Sequence, residues 1–355
     1  MKKRILALFV ASVMSFSALL TGCGAKTETP SGTEKTSQNE AAAKASKIAM
    51  VTDTGGVNDK SFNQSAWEGM QRAEKELGMK ASYIESKQEA DFSPNLETLY
   101  DAKNDLIWGI GFMMADAVKS AAETNKDAKY AIVDFSYDEK TPSNVIGVVF
   151  KAEQPSFLVG YIAGKMSKTG KVGFVGGVKG VVIDGFDYGF RAGVKYANKD
   201  AQVLVQYADS FNDSAKGKAI ANQMYQNGAD IIFHAAGGVG LGVIESAKEN
   251  KKYVIGVDRD QNNLAPDNVI TSAVKRVDNG IYNVTKELKE GTLKMGTTIS
   301  YGLKEGGVDI APTSDKHVPA NILEEVKKLK QDIIDGKINV PFNEKTYNEY
   351  AATLK

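Results

Sequence analysis

Short apolar runs alternate with helix-length amphipathic segments along most of this chain, and the series occurs twice. The first set comprises Ile48-Ala49-Met50-Val51, residues 80–85, 105–110 and 129–134, and Val145 to Phe150. Lys171 to Val175, Val203 to Tyr207, Asp230 to His234 and Tyr253 to Val257 make the second. Runs this short, bounded by glycine or polar turns and separated by helical patterns, read as parallel strands linked by crossover helices. The halves are also alike in order. Residues 105–134 lie over 230–258 as Asp, apolar strand, glycine-containing turn, a helix carrying Ser-Ala-x-Glu, a second strand and a terminal Asp. A chain of 355 residues with 42% hydrophobic content can bury two cores, so the expected architecture is α/β with two duplicated lobes. Each lobe is expected to be a parallel sheet flanked by helices, with a hinge between them.

The first 46 residues belong to neither lobe. Lys2, Lys3 and Arg4 precede an apolar segment from Ile5 to Leu20, the form of a secretory leader and too short for a permanent span. The segment ends in Leu20-Thr21-Gly22-Cys23, which resembles the bacterial lipobox, where cleavage precedes a cysteine whose sulfur carries diacylglycerol. An ordinary leader that happens to hold a cysteine is the alternative. Residues 1–22 are therefore expected to be a lipoprotein signal peptide and Cys23 the lipidated residue. Residues 23–46, rich in Thr, Ser, Glu, Lys and Ala without apolar periodicity, read as a flexible tether to the extracytoplasmic face of the cell membrane. Cys23 is the only cysteine, so a disulfide and a thiol-based metal site are excluded, and no cofactor is expected. Lys+Arg and Asp+Glu each number 44, a balance that argues against nucleic acid as the partner.

If two such lobes share a hinge, the turns at the carboxyl ends of their strands face one another, which is where open α/β sheets take ligands. The turn after the first strand, Thr52 to Gln64, holds Asp53, Gly55-Gly56, Asn58 and Asp59. It opens a helix with Phe62, Ala66, Trp67, Met70, Ala73 and Leu77 on one face, for which Ser61 is the expected N-cap and Gly78 the stop. Phe62 either lies against a ligand ring or staples the core. The same choice applies to Phe211, within Tyr207-Ala208-Asp209-Ser210-Phe211-Asn212-Asp213. Together the two rings are able to sandwich a flat group the size of a purine. Gly237-Gly238-Val239-Gly240-Leu241-Gly242 lacks Gly-Lys-Ser/Thr, so it is a tight turn with approachable backbone and not a phosphate loop. Asp258 directly follows a strand and suits two vicinal hydroxyls of a ribose. Lys275, in a segment Thr271 to Arg276 read as following the next strand, reaches the same hydroxyls, neutralises Asp258, or forms a surface ion pair. Phe112 and Asp134, on the other first-lobe turns, and Ser61 are further candidates. His234 and His317 read as structural.

These residues, taken in order, resemble the basic membrane protein (BMP) family of substrate-binding lipoproteins, which serve ABC importers for nucleosides. The resemblance is carried by Asp53 to Asn63, Gly111-Phe112, Ser210 to Asp213, Gly237 to Gly242, Gly256 to Gln261 and Lys275-Arg276, and it spans nearly the whole mature chain. It implies a type I periplasmic-binding-protein-like fold, with residues 47–152 and about 277–296 in the N-terminal lobe. Residues 153–276 and about 304–355 would form the C-terminal lobe. It implies that Phe62 and Phe211 stack on a purine base and that Asp53 bonds its edge. Asp258, Lys275 and a glycine of the Gly237–Gly238 turn would hold the ribose. The implied ligand is a purine nucleoside (guanosine, adenosine or inosine), handed by a monomeric, non-enzymatic protein to ABC permease subunits. Related members place an amide side chain beside the Gly-Phe turn, where this chain has Ile110 and Gly111. A sugar-binding receptor of the same architecture and a membrane-tethered regulator are alternatives. A calcium-dependent nucleoside hydrolase is a third, although its chemistry wants a tighter aspartate cluster than Asp53 and Asp59, which have glycines between them.

Overall fold

The computed structural model describes residues 46–354; the expected leader, the lipidation site Cys23 and the tether as far as Ala45 lie outside them. The first series runs β1 (Lys47–Val51), α1 (Phe62–Leu77), β2 (Lys80–Ile84), α2 (Phe92–Asp101), β3 (Leu106–Ile110), α3 (Ala115–Thr124), β4 (Tyr130–Val133) and β5 (Val145–Phe150). The second begins with α4 (Glu153–Met166), β6 (Lys171–Gly176), α5 (Val181–Ala197), β7 (Gln202–Tyr207) and α6 (Ser214–Gln226). It continues through β8 (Ile231–Ala235), α7 (Val239–Asn250), β9 (Tyr253–Asp258) and β10 (Val269–Lys275). The chain then supplies α8 (Val277–Glu290), β11 (Thr297–Tyr301), β12 (Val308–Ile310), α9 (Ala320–Ile334) and α10 (Glu344–Thr353).

Two six-stranded sheets result, in the orders β11-β5-β4-β3-β1-β2 and β12-β10-β9-β8-β6-β7. The first is parallel throughout, while in the second only β12 runs antiparallel, against β10. Successive residues of β1 feed opposite cores: Ile48 and Met50 pack with α1 and α8, and Ala49 and Val51 with α2 and α3. That is the alternation a pleated strand covered on both faces requires. The two folded halves are thus parallel-sheet α/β lobes, as the strand–helix alternation implies. Thr271 to Lys275, however, is not a segment after a strand; it is strand β10 itself. Strand β11, which falls between the residue ranges expected for the two lobes, pairs with β5 of the first sheet.

The chain crosses between the sheets after β5, after β10 and after β11. The crossings bond to one another: the Lys151 amide donates to the Tyr301 carbonyl at 2.9 Å and the Arg276 amide to the Gly307 carbonyl at 2.8 Å. Just past the first crossing, α4 and α5 lie against each other with almost no side chain between them. A Cβ at Gly193 would stand 2.0 Å from the Phe157 carbonyl oxygen and 2.8 Å from the Tyr161 nitrogen. Gly193→Ala is accordingly expected to cost about 1–3 kcal/mol by overpacking, read as a lowered urea midpoint at unchanged slope. A midpoint equal to wild type would mean that the two helices separate without penalty.

Candidate functional site

The turn after β1 is built from its own acceptors. Asp53 Oδ1 accepts the Gly55 amide at 2.8 Å and the Asn63 side-chain amide at 2.8 Å. The Asp59 carboxylate accepts the backbone N–H groups of Ser61, Asn63 and Gln64 at 2.8–3.0 Å. Asp59, not Ser61, therefore satisfies the open amides at the start of α1, correcting the expected cap. Ser61 makes no capping bond. Its hydroxyl donates instead to Asp258 Oδ2 of the other lobe, at 2.5 Å. Asn63 Nδ2 also reaches Asp59 Oδ2 at 3.2 Å, which leaves Asn63 Oδ1 buried with no partner among the described residues.

The two ends of the repeated segment meet across the cleft. Asp134 follows β4, Asp258 ends β9, and both take left-handed backbone conformations, φ 66° and 62°, an uncommon choice for a residue with a side chain. Between them lies Lys275 at the end of β10. Its Nζ is 2.5 Å from Asp134 Oδ2 and 3.8 Å from Asp258 Oδ1. Lys275 is only 2% exposed, so the surface ion-pair reading is excluded. Its nearest carboxylate comes from the opposite lobe and not from Asp258, because the end of β10 points into the gap between the sheets. The ammonium also sits over the Phe62 ring at 4.5 Å, with Phe186 at 5.5 Å and Phe150 at 5.9 Å, within cation–π range.

Burial dominates the acid–base behaviour of the site. It pushes the Asp53 carboxyl up from its ordinary range, opposed by the bonds from Asn63 and Gly55 and reinforced by the nearby Asp134 and Asp258. Asp59 is raised to about 6 by burial, against the pull of its three backbone donors. Asp258 is also raised to about 6 by burial; Lys275 and Ser61 lower it, while Asp59 and Asp134 raise it further. His234, buried beneath the second-lobe turns, is lowered to about 4 by desolvation and stays neutral. Its Nε2 meets Gln261 Oε1 at 3.0 Å, an oxygen that also accepts the Val257 amide. Gln261 Nε2 in turn donates to the Lys60 carbonyl across the cleft at 3.1 Å.

Asp53, Phe62, Phe112, Asp134, Phe211, Gly237, Asp258 and Lys275 all line one cavity between the lobes. Ser61 lies behind it, bonded to Asp258, and Gly238 falls outside as the residue preceding α7. Phe62 and Phe112 come from the first lobe and Phe211 from the second. Phe211 lies so close over the Gly177 backbone that a Cβ there would be 2.2 Å from the ring, and it meets Phe112 edge-on with centroids 6.3 Å apart. The ring that faces Phe211 in this closed cleft is thus Phe112, while Phe62 faces the Lys275 ammonium. Asn63 and Phe186 line the cavity too. Asn63 stands in the stretch that carries the family resemblance but is given no role there, and Phe186, inside α5, is marked by no strand end or turn motif. The lobes also touch at the rim, where Arg259 Nη2 pairs with Glu68 Oε1 at 2.7 Å and Asn212 Nδ2 donates to the Thr54 carbonyl at 3.1 Å.

Among the described residues no cluster of three or more His, Cys, Asp or Glu side chains is placed to hold a metal ion. Asp53 Oδ1 and both oxygens of Asp59, which loosely suggest a calcium loop, accept N–H donors instead.

Comparison with known proteins gives the family and the fold. The chain is 42% identical over 362 residues to the CD4+ T-cell-stimulating antigen of Listeria innocua, covering 96% of this chain and 99% of that one. It is 44% identical over 308 residues to basic membrane protein A of Borreliella afzelii, covering 86% and 94%. Among solved structures it is similar to an ABC transporter solute-binding protein from Aeropyrum pernix K1, with a TM-score of 0.80 at 27% identity, covering 87% of this chain and 97% of that one. The Bmp family profile, described as ABC transporter substrate-binding protein PnrA-like, matches residues 46–344. The chain belongs to the Bmp family of ABC transporter substrate-binding proteins, two-lobed proteins that take up a ligand and work with transporter permeases.

Proposed function

We propose that the interlobe cleft captures a purine nucleoside and that the closed protein delivers it to the permease of an ABC importer. The observation that carries this reading is the division of one cavity into two chemistries. Aromatic rings from both lobes, Phe62, Phe112 and Phe211, line it together with Asp53, whose Oδ1 is already engaged and whose Oδ2 remains to accept an N–H from a base edge. Asp134, Asp258, Lys275 and Ser61 bond one another across the cleft, and a vicinal diol offers the same donors and acceptors in their place. The leader and lipobox support attachment through Cys23 on the extracytoplasmic face. A sugar receptor of the same architecture also uses aromatic rings and carboxylates, so ligand preference is what separates the two readings.

Calorimetry on wild type, Phe62→Ala, Phe211→Ala and Asp258→Ala, with guanosine, adenosine, inosine, the free bases and pentoses, tests the reading. Each Phe variant is expected to lose about 1–3 kcal/mol, roughly tenfold to a hundredfold in affinity. Asp258→Ala should weaken nucleosides far more than free bases. Wild-type affinity in both Phe variants would reduce the rings to core packing, and tight pentose binding without nucleoside binding would favour the sugar receptor. Chromatography of the same mixtures with added calcium should show no released base, since no cluster of three or more acidic or His/Cys side chains among the described residues is placed to hold the metal.

A further inference from the structure

We propose that the cleft prefers nucleosides whose base carries a delocalised positive charge over their neutral counterparts, an inference that rests on the nucleoside reading above. The ionisable side chains lining the cavity are Asp53, Asp59, Asp134, Asp258 and a single cation, Lys275. Asp59 is compensated by three backbone N–H groups at the start of α1, where the helix dipole also favours a negative charge. Lys275 offsets one of Asp134 and Asp258. Asp53 and the remaining carboxylate have no matching cation, and both face the space a ligand enters.

Two further observations point the same way. The site already holds a cation against aromatic faces: the Lys275 ammonium is enclosed by Phe62, Phe186 and Phe150, the combination of rings and carboxylates that recognises charged nitrogen groups. In addition, Asn63 lines the cavity and carries a buried Oδ1 without a partner, so acceptors outnumber donors. Closing over a neutral nucleoside replaces water at the surplus carboxylates with N–H and O–H donors but brings no positive charge, which favours proton uptake there. A cationic base supplies the missing charge itself and stacks more strongly on the phenylalanine faces. The upward shifts of Asp53 and Asp258 fit this account, since each is reinforced by the other aspartates of the cavity.

Calorimetry at pH 7 with 1-methyladenosine, which is cationic, and its neutral isomer N6-methyladenosine tests the proposal. A second pair is 7-methylguanosine and guanosine at pH 6.5, with the methyl group on the opposite edge of the purine, so a clash at one edge does not decide the outcome. At least one cationic member is expected to bind about tenfold or more tightly than its neutral partner. That ratio should shrink as pH falls through about 6, where Asp258 takes up its proton. Titrations in two buffers of different ionisation heat should show proton uptake with guanosine and little with 1-methyladenosine. Equal affinities in both pairs with equal proton uptake would overturn the preference while leaving nucleoside binding standing. Failure of every nucleoside to bind would overturn both.

Discussion

Lys275→Met is expected to open the cleft of the ligand-free protein without unfolding either lobe. The substitution keeps an unbranched stem as far as Cε and removes the ammonium. It leaves Asp134 and Asp258, from opposite lobes, facing each other with no ammonium between them. Removing one partner from a buried ion pair costs about 3–5 kcal/mol, because the other charge stays desolvated. Each lobe has its own sheet and its own cores, so the least costly relief is rotation about the hinge, which returns both carboxylates to water. Small-angle scattering should show a larger radius of gyration for the variant than for wild type, while its denaturation midpoint moves little. Adding Asp134→Asn should restore compaction by removing one of the two stranded charges. A variant as compact as wild type with a midpoint lowered by the full 3–5 kcal/mol would show instead that the pair supports folding and not closure. Nucleoside affinity should fall in either case, so compaction is the informative measurement.

Replacing Asp258 by Asn is expected to stabilise the ligand-free protein near neutral pH and to leave it unchanged in acid. Burial raises this carboxyl from its ordinary 3.8 to about 6, so the folded protein binds its proton more tightly than the unfolded chain does. The stability this group contributes is then fully present below about pH 3.8 and is lost as pH rises through about 6. A shift of about two units corresponds to about 3 kcal/mol at pH 7.5, an upper figure because hinge opening rehydrates the carboxylate. Asparagine keeps an acceptor for the Ser61 hydroxyl and never ionises. The difference between variant and wild type in urea unfolding, followed from pH 4 to 8, isolates this group from the other acids. It should be near zero at pH 4 and grow in the variant's favour up to pH 7.5. A difference that does not change with pH would mean that Asp258 titrates as an ordinary exposed carboxyl. Asp59 carries a shift of the same sign, but the same substitution there would also weaken the start of α1.

Much of the site was legible because its residues announce themselves locally. Asp53, Phe62, Phe211 and Asp258 each stand directly after or near a short apolar strand, and strand ends converge in any open α/β sheet. The overlay of the two half-chains even ended on Asp134 and Asp258, the pair that now flanks Lys275 with matching left-handed backbones. What went unread depended on partners far away in the chain. Lys275 finds Asp134 across 141 residues, and no periodicity records such a pairing. Ser61 and Asp59 are both acceptors two residues apart; Asp59 caps α1, while the Ser61 hydroxyl is turned toward Asp258, 197 residues on.

The amino-acid sequence by itself determined the strand–helix alternation, the two-lobed plan and the turns that carry polar and aromatic groups, since these follow from side-chain period, glycine placement and the need to bury apolar runs. The tertiary structure alone decided which lobe receives β11. Thr297-Thr298-Ile299-Ser300-Tyr301 has little apolar character of its own and becomes a strand by pairing with β5. It also decided which charges compensate one another in the closed cleft, because Coulomb and desolvation energies depend on distance and burial, which only the assembled lobes define.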